Sequence, residues 1–254
     1  MKTGISRPTR NLEEAQAMLG LAQEFGFEGV QFKPNQYGGP GGPLTAEEFR
    51  QSYGNRADLV RAGLIVYCRP NLSEWKRQVF PVAKFAAQVG AQHICICAGV
   101  PKPTSGKAPH AEAAAMLNLL GAEGKLRGVH LSLHNHAHSI FESADDLLRM
   151  VDLLDPELCG ITLDTAHLAK GGHTDAASLI PRLRSHLWNV HLKDLDDSGR
   201  FCPIGRGTLD LRAVLETLPV VGYENWLIVD DESREVGVEE AFAASREFLE
   251  LSHV

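Results

Sequence analysis

The chain has 254 residues, 44% of them hydrophobic and 22% charged, with a formal net charge of -7. That length suits one α/β barrel of about 250 residues better than two ordinary domains, and the acidic balance argues against a nucleic-acid partner, which needs a basic footprint. No apolar run approaches the roughly 20 residues of a membrane helix, and the N-terminus MKTGISRPTRNLEE lacks the apolar core of a secretory signal, so a cytoplasmic protein with no membrane partner is expected.

In chain order, short apolar runs alternate with longer amphipathic ones. Strands are expected at 3–6, 29–33, 63–68, 93–98, 129–134, 160–164, 189–193 and 226–230. Helices are expected at 12–25, 46–62, 73–89, 111–126, 144–154, 175–187, 211–218 and 238–252. Alternation of this kind implies βαβ units and a parallel sheet. Eight units in this length favour a closed (β/α)8 TIM barrel, one domain over residues 1–254, rather than an open doubly wound sheet.

Local signals mark the boundaries. Asn11 precedes LEEAQAMLGLAQEF as an N-cap with acidic residues in the first turn. Thr45 and Glu48 have capping-box spacing, and Ser143 before ADDLLRMVDLL is similar. Gly26, Gly63, Gly90 and Gly128 stand where helices give way to strands. Three loops after strands, 34–43, 99–109 and 195–207, are rich in Gly and Pro. In a barrel that face carries the active site, so these loops are candidates to cover a substrate.

The five cysteines are odd in number and form no CxxC pair, which opposes a zinc ribbon or a disulfide framework. Cys95 and Cys97, in the apolar run ICIC, are expected to be buried thiols packed as small hydrophobes.

The chemistry concentrates in the second half. Eight of the eleven histidines fall between residues 130 and 191. Four strand-like runs end in groups that bind metals or move protons, and one residue from each gives His134, Asp164, His191 and Asp230, separated by 30, 27 and 39 residues. These steps are close to one strand-helix unit, so the four can converge at the C-terminal ends of successive strands. Mixed imidazole and carboxylate donors suit a hard or borderline divalent cation. Strand alternation puts Ser132, His134 and His136 on one face, Thr162 with Asp164, Asn189 with His191 and Lys193, and Ile228 with Asp230. That polar face is expected to point into the barrel, because a one-residue slip would bury charges against the helices at several kcal/mol each.

The ordered set DTAH (Asp164 to His167), NVHLKD (ending at Asp194), GRGTLD (Gly205 to Asp210) and WLIVDDE (Trp226 to Glu232) resembles the xylose isomerase-like barrel superfamily. That superfamily includes sugar isomerases, ketose 3-epimerases, inosose dehydratases and endonuclease IV. The resemblance spans Val129 to Glu232; the N-terminal half matches only in rhythm. It implies a divalent metal ion (Mn, Mg, Co or Zn) and a small sugar or keto-polyol as substrate, and it leaves a homo-oligomer open. Where ketose epimerases carry a metal-binding Glu after strands five and eight, this chain has His134 and Asp230. Those two carboxylates form the acid-base pair of epimerases, so simple 3-epimerisation is in doubt. The run HNHAHSIFES resembles inosose dehydratases, with Glu142 as a carboxylate that can replace the missing ligand.

The implied metal set is Asp164, His191, Asp230 and either Glu142 or His134. His134 or His136 is the candidate base or acid. His167 is read as a substrate contact, with metal ligation or support of a ligand as alternatives. Lys193 either binds a substrate oxygen or phosphate or pairs with Asp164. Gln31, Lys33 and Arg69 could reach the same pocket, and Arg200 and Arg206 could clamp an anion, although exposed surface arginines are commoner. The expected chemistry is metal-stabilised enediolate formation by a sugar isomerase or epimerase. The alternative is a keto-polyol dehydratase, a lyase that expels a β-hydroxyl.

Overall fold

A computed structural model describes residues 1–39, 42–69, 71–103 and 108–253. Its barrel strands are β1 (Lys2–Ser6), β2 (Gly29–Phe32), β3 (Gly63–Cys68), β4 (His93–Ala98), β5 (His130–His134), β6 (Cys159–Asp164), β7 (Leu187–Leu192) and β8 (Trp226–Asp230). All pair in parallel with their sequence neighbours, and β8 closes on β1. The expected (β/α)8 TIM barrel is the observed architecture.

Period-two alternation sorts the strand residues. Ile94, Ile96, Leu131, Leu133, Ile161 and Leu163 face outward into the core shared with the helices. Inside the barrel, Trp226 and Ile228 pack with Ala62, and Cys95 and Cys97 pack with Ile65. Between those apolar patches lies a polar layer, in which Ser132 Oγ meets His93 Nε2 at 2.7 Å and Thr162 Oγ1 at 2.5 Å.

Trp226 fills the barrel floor only because β2 has no side chain at Gly29. A Cβ there would lie 2.9 Å from the Trp226 ring and 2.8 Å from Ala62 Cβ. Gly29→Ala is therefore expected to destabilise by about 1–3 kcal/mol through overpacking. Gly20→Ala, on the helix Leu12–Glu24, meets nothing nearer than 3.7 Å and should stabilise by about 0.5–1 kcal/mol. Opposite shifts in thermal midpoint for the two variants would check both.

The structure differs from expectation in its connections. The expected helix 46–62 stops at Tyr53 and continues as 3-10 turns, Gly54–Ala62, because Gly54 takes φ +56°. The helix expected from Ser73 starts as a 3-10 turn, Leu72–Glu74, capped by Asn71, before Trp75–Val89. The helix expected over 175–187 ends at Leu183, since β7 already begins at Leu187. The loop after β2 opens with a helical turn, Pro34–Tyr37. The loop after β7 carries a small antiparallel ribbon, Asp194–Leu195 with Phe201–Cys202. Parts of the first two Gly/Pro-rich loops, 40–41 and 104–107, lie outside the described residues. Among the described residues no helix is long and apolar enough to cross a membrane.

Candidate metal centre and active site

The strand β6 ends where the DTAH motif turns into a short helix, Thr165–Lys170, and Asp164 is its N-cap. Its Oδ1 accepts the His167 N–H at 2.8 Å. Its Oδ2 is buried and has no hydrogen-bond partner. The cap thus fixes the carboxylate while leaving one oxygen for the barrel mouth. Asn135, just past the end of β5, locks the same residue: its Nδ2 donates to the Asp164 carbonyl at 3.0 Å, and its Oδ1 accepts the Asp164 N–H at 2.7 Å. Thr165 Oγ1 ties this corner to Lys193 in the same reciprocal way.

His191 stands beside Asp164 in register on β7. Its Nε2 lies 2.7 Å from Gln31 Oε1, across the barrel. A carbonyl oxygen only accepts, so Nε2 carries the proton and Nδ1 keeps its lone pair. Burial lowers the His191 pKa and favours this neutral form. Nδ1 has no hydrogen-bond partner and sits 3.7 Å from Asp164 Oδ2 and 3.9 Å from Asp230 Oδ2. Three electron-rich atoms facing one another at such spacing are a poor arrangement unless a cation joins them.

Lys193 and Lys33 grip Asp230 from two sides. Lys193 Nζ is 2.7 Å from Asp230 Oδ2, and Lys33 Nζ is 2.9 Å from Oδ1. Lys33 also pairs with Glu232 at 3.0 Å, and Lys193 approaches Asp164 Oδ2 at 3.8 Å. Burial works against charge on Asp164 and Asp230, but Lys193, together with the neighbouring histidines and, for Asp230, Lys33, holds both carboxyls well below the usual range. Both lysines are buried, and the surrounding carboxylates keep them protonated against the effect of burial.

The remaining histidines line one side of this cluster. His134 Nε2 is 3.4 Å from Asp164 Oδ2. Burial opposes a charge on His134, but Cys97 and Asp164 together push its pKa up, so a cation binding there must displace a proton. The rings of His136 and His167 lie tilted by 32° with centroids 4.0 Å apart, and His134 is 5.9 Å from the first and 5.5 Å from the second. His136 Nδ1 lies 2.9 Å from the Ala137 carbonyl, to which it can only donate, so in the neutral ring the lone pair is on Nε2. His167 Nδ1 accepts the Ala137 N–H at 3.3 Å, which leaves Nε2–H as a donor.

Of the residues expected to ligate, the structure brings together Asp164, His191 and Asp230, whose donor atoms all lie within 4.8 Å of one another. His134 joins them through Asp164. Glu142 does not: its carboxylate is occupied by Lys102 Nζ at 2.7 Å and by the His138 N–H. It braces the turn after β5, where His138 takes φ +67°. Arg200 pairs with Asp196 and Glu235, and Arg206 with Glu240, all partly exposed. Arg69 pairs with Glu74 at the surface.

The donor set fits a divalent ion. Ligand atoms about 2.1 Å from a shared ion sit roughly 3.0–3.4 Å apart, from octahedral to tetrahedral angles, so small inward shifts from the observed 3.4, 3.7 and 3.9 Å suffice. Two of the atoms concerned are buried and unpartnered.

Three contributors escaped the sequence reading as site residues. Asn135 is flanked by His134 and His136, but an outward-facing polar residue gives no sign that it clamps the next strand. Glu232 follows the strand-end Asp230 by two residues, the same alternation that picked out the others. Asp194 carries no signal of its own within NVHLKD. Its carboxylate accepts the N–H groups of Gly205, Gly207 and Leu209, so NVHLKD and GRGTLD are two halves of one loop. A Cβ on Gly207 would meet Asp194 Oδ1 at 2.3 Å.

Two buried histidines predict acid sensitivity. Burial pushes His93 down to about 3 and His167 down to about 2. In the unfolded chain both titrate near 6.5, so between about pH 6.5 and 3 the unfolded state binds more protons. Their neutral burial therefore favours the fold fully above pH 6.5, and that contribution falls as the pH drops toward 3. A His93→Gln variant should show a visibly flatter loss of thermal midpoint between pH 6.5 and 4.

Comparison with known proteins agrees with this fold. The chain is 27% identical over 134 residues to an inosose dehydratase of Clostridium perfringens, covering 46% of this chain and 45% of that protein. It is 29% identical over 123 residues to an inosose dehydratase of Geobacillus kaustophilus, covering 41% and 40%. These matches span less than half the length of the curated relatives. Among solved structures, a D-allulose 3-epimerase from Methylomonas sp. superposes with a TM-score of 0.78 at 14% identity, covering 99% of this chain and 98% of that one. The probable 3-DHS dehydratase of Bacillus anthracis gives 0.76 at 13% identity, covering 98% and 99%. The IOLI protein with a bound zinc atom gives 0.73 at 16% identity, covering 99% and 98%. At these identities the likeness carries the fold alone. Residues 19–251 match the family model for the xylose isomerase-like TIM barrel, and the chain belongs to that family.

Proposed function

We propose that the chain is a divalent-metal-dependent dehydratase of a keto-polyol, removing water from the carbons next to a carbonyl. The observation that carries this reading is the state of Asp230. Two buried ammonium groups hold it ionised and hydrogen-bonded, so it is a poor second base. Epimerisation needs a proton taken from one face and returned on the other. Elimination needs only one base that later acts as an acid.

Asp164, His191, Asp230 and His134 would hold a divalent ion, which would supply Lewis acidity at a substrate carbonyl and offset the charge left by the α-proton. His136 Nε2 takes that proton. The same imidazolium then protonates the β-hydroxyl as its C–O bond breaks, so water leaves and a carbon–carbon double bond forms. His167 Nε2–H holds a substrate oxygen. Lys33 and Lys193 add positive charge at the floor of the site.

The curated relatives support this reading because they are inosose dehydratases, over the part of their length that matches. A second reading, a sugar isomerase, also needs only one base. It is supported by the fold shared with 3-epimerases. Incubating the metal-loaded chain with an inosose and with ketoses separates the two: a conjugated enone absorbs in the ultraviolet, whereas isomerisation gives a sugar without that chromophore. His136→Asn should lower kcat by about 10²–10⁴-fold with metal content unchanged. Wild-type turnover of ketoses with no enone from any inosose would overturn the dehydratase reading.

A further inference from the structure

The inner face of β4 adds sulfur to the barrel mouth. Ile94 and Ile96 point outward into the core, so Cys95 and Cys97 point inward. Register sets Cys95 level with Ser132 and Cys97 level with His134 on β5. Cys95 is a free, fully buried thiol. One ligand atom each from Cys95, His134 and His191 lies within 4.8 Å of the others, and all three residues are buried. His134 Nδ1 and His191 Nδ1 have no hydrogen-bond partner.

We propose that the barrel holds a second metal-binding mode, in which Cys95, His134 and His191 take a thiophilic d10 ion such as Zn2+ or Cd2+. A thiolate with two imidazoles selects soft or borderline ions, whereas the carboxylate-rich set of Asp164, His191 and Asp230 suits Mg2+ or Mn2+. His191 belongs to both sets and has one nitrogen to give, since Nε2 is engaged by Gln31. The two modes therefore exclude each other, and a thiophilic ion displaces the hard ion. On binding, the Cys95 S–H bond breaks and His134 gives up the proton on its ligating nitrogen; both protons go to solvent, and the thiolate and imidazole electron pairs are donated to the ion. Cys95 thus acts as a ligand, where its sequence context suggested only packing. The competition rests on the metal reading of the carboxylate set; the thiol set does not.

The test is Cd2+ titration of the 254-residue chain, once metal-free and once loaded with Mn2+, followed by the ultraviolet thiolate-to-cadmium charge-transfer band, with bound Mn2+ measured in parallel by electron paramagnetic resonance. Wild type should give the band at one equivalent of Cd2+ and release bound Mn2+ as it forms. Cys95→Ser should lose the band and bind Cd2+ at least about 100-fold more weakly while keeping Mn2+. Asp164→Ala should keep the band and lose Mn2+, which also guards against a Cys95 variant that fails to fold. A wild type without the band, or a band lost in Cys97→Ser and kept in Cys95→Ser, would overturn the thiol set. Simultaneous full occupancy by Cd2+ and Mn2+ would overturn the competition. A wild type that gives the band yet takes up no Mn2+ would uphold the thiol set and refute both the competition and the metal reading on which it rests.

Discussion

Asp164→Ala is expected to abolish metal uptake of the carboxylate set and to lower turnover by at least about 10³-fold, more than loss of a residue that merely supports a ligand. The reason lies in how its two oxygens are used. Oδ1 is fixed by the His167 N–H, and Oδ2 faces His134, His191 and Lys193 at 3.4, 3.7 and 3.8 Å. No other described carboxylate oxygen is at once so buried and without a hydrogen bond. Stability should respond less than activity. The lost N-cap costs about 1 kcal/mol, and removing a carboxylate from beside a buried ammonium adds to that. Asp164→Asn separates the contributions: it can keep the cap but offers the ion a neutral ligand, so it should recover most of the stability and little of the metal. Metal content by elemental analysis and thermal midpoint, measured on both variants, check this. A full metal complement in Asp164→Ala would sink the metal reading.

Why Asp164 was visible from sequence, and its supports were not, follows from the range of the signals involved. Strand alternation is local, and it fixed which of Thr162, Leu163 and Asp164 faces inward. One strand-helix unit between His134, Asp164 and His191 follows from the period of the barrel. The link from Gln31 to His191 spans 160 residues and depends on closure of β1 against β8, which no local pattern reports. The same holds for Lys33, which meets Asp230 from the other half of the chain. Glu142 is an expected alternative to His134 as a ligand because the resembling family has a trailing carboxylate, but Lys102, from the Gly/Pro-rich loop after β4, is its partner. Helix ends went astray for a local reason. At Gly54 the backbone turns left-handed, and the capping oxygen of Asp164 starts a short unexpected helix, Thr165–Lys170, directly after the expected strand 160–164.

Lys193→Met is expected to have opposite effects on the metal-free and metal-loaded protein. Without metal, Lys193 neutralises Asp230 at 2.7 Å and approaches Asp164 at 3.8 Å and Glu232 at 3.5 Å. Breaking a buried pair from one side typically costs about 3–5 kcal/mol, and at roughly 2–4 °C per kcal/mol the midpoint of the metal-free chain should fall by about 6–20 °C. With metal the sign reverses for binding. An ammonium at Asp164 Oδ2 and Asp230 Oδ2 occupies the oxygens a dication needs and repels it. Methionine has similar reach and no charge, so the variant should bind Mn2+ more tightly than wild type. Because a ligand that binds only the folded state stabilises by RT ln(1 + [L]/Kd), added Mn2+ should raise the variant's midpoint by more than it raises that of wild type. A thermal melt of each protein with and without Mn2+ measures both effects. Equal metal-induced shifts would mean that Lys193 does not compete for these oxygens, and its ammonium would then be assigned to substrate or to the fold alone.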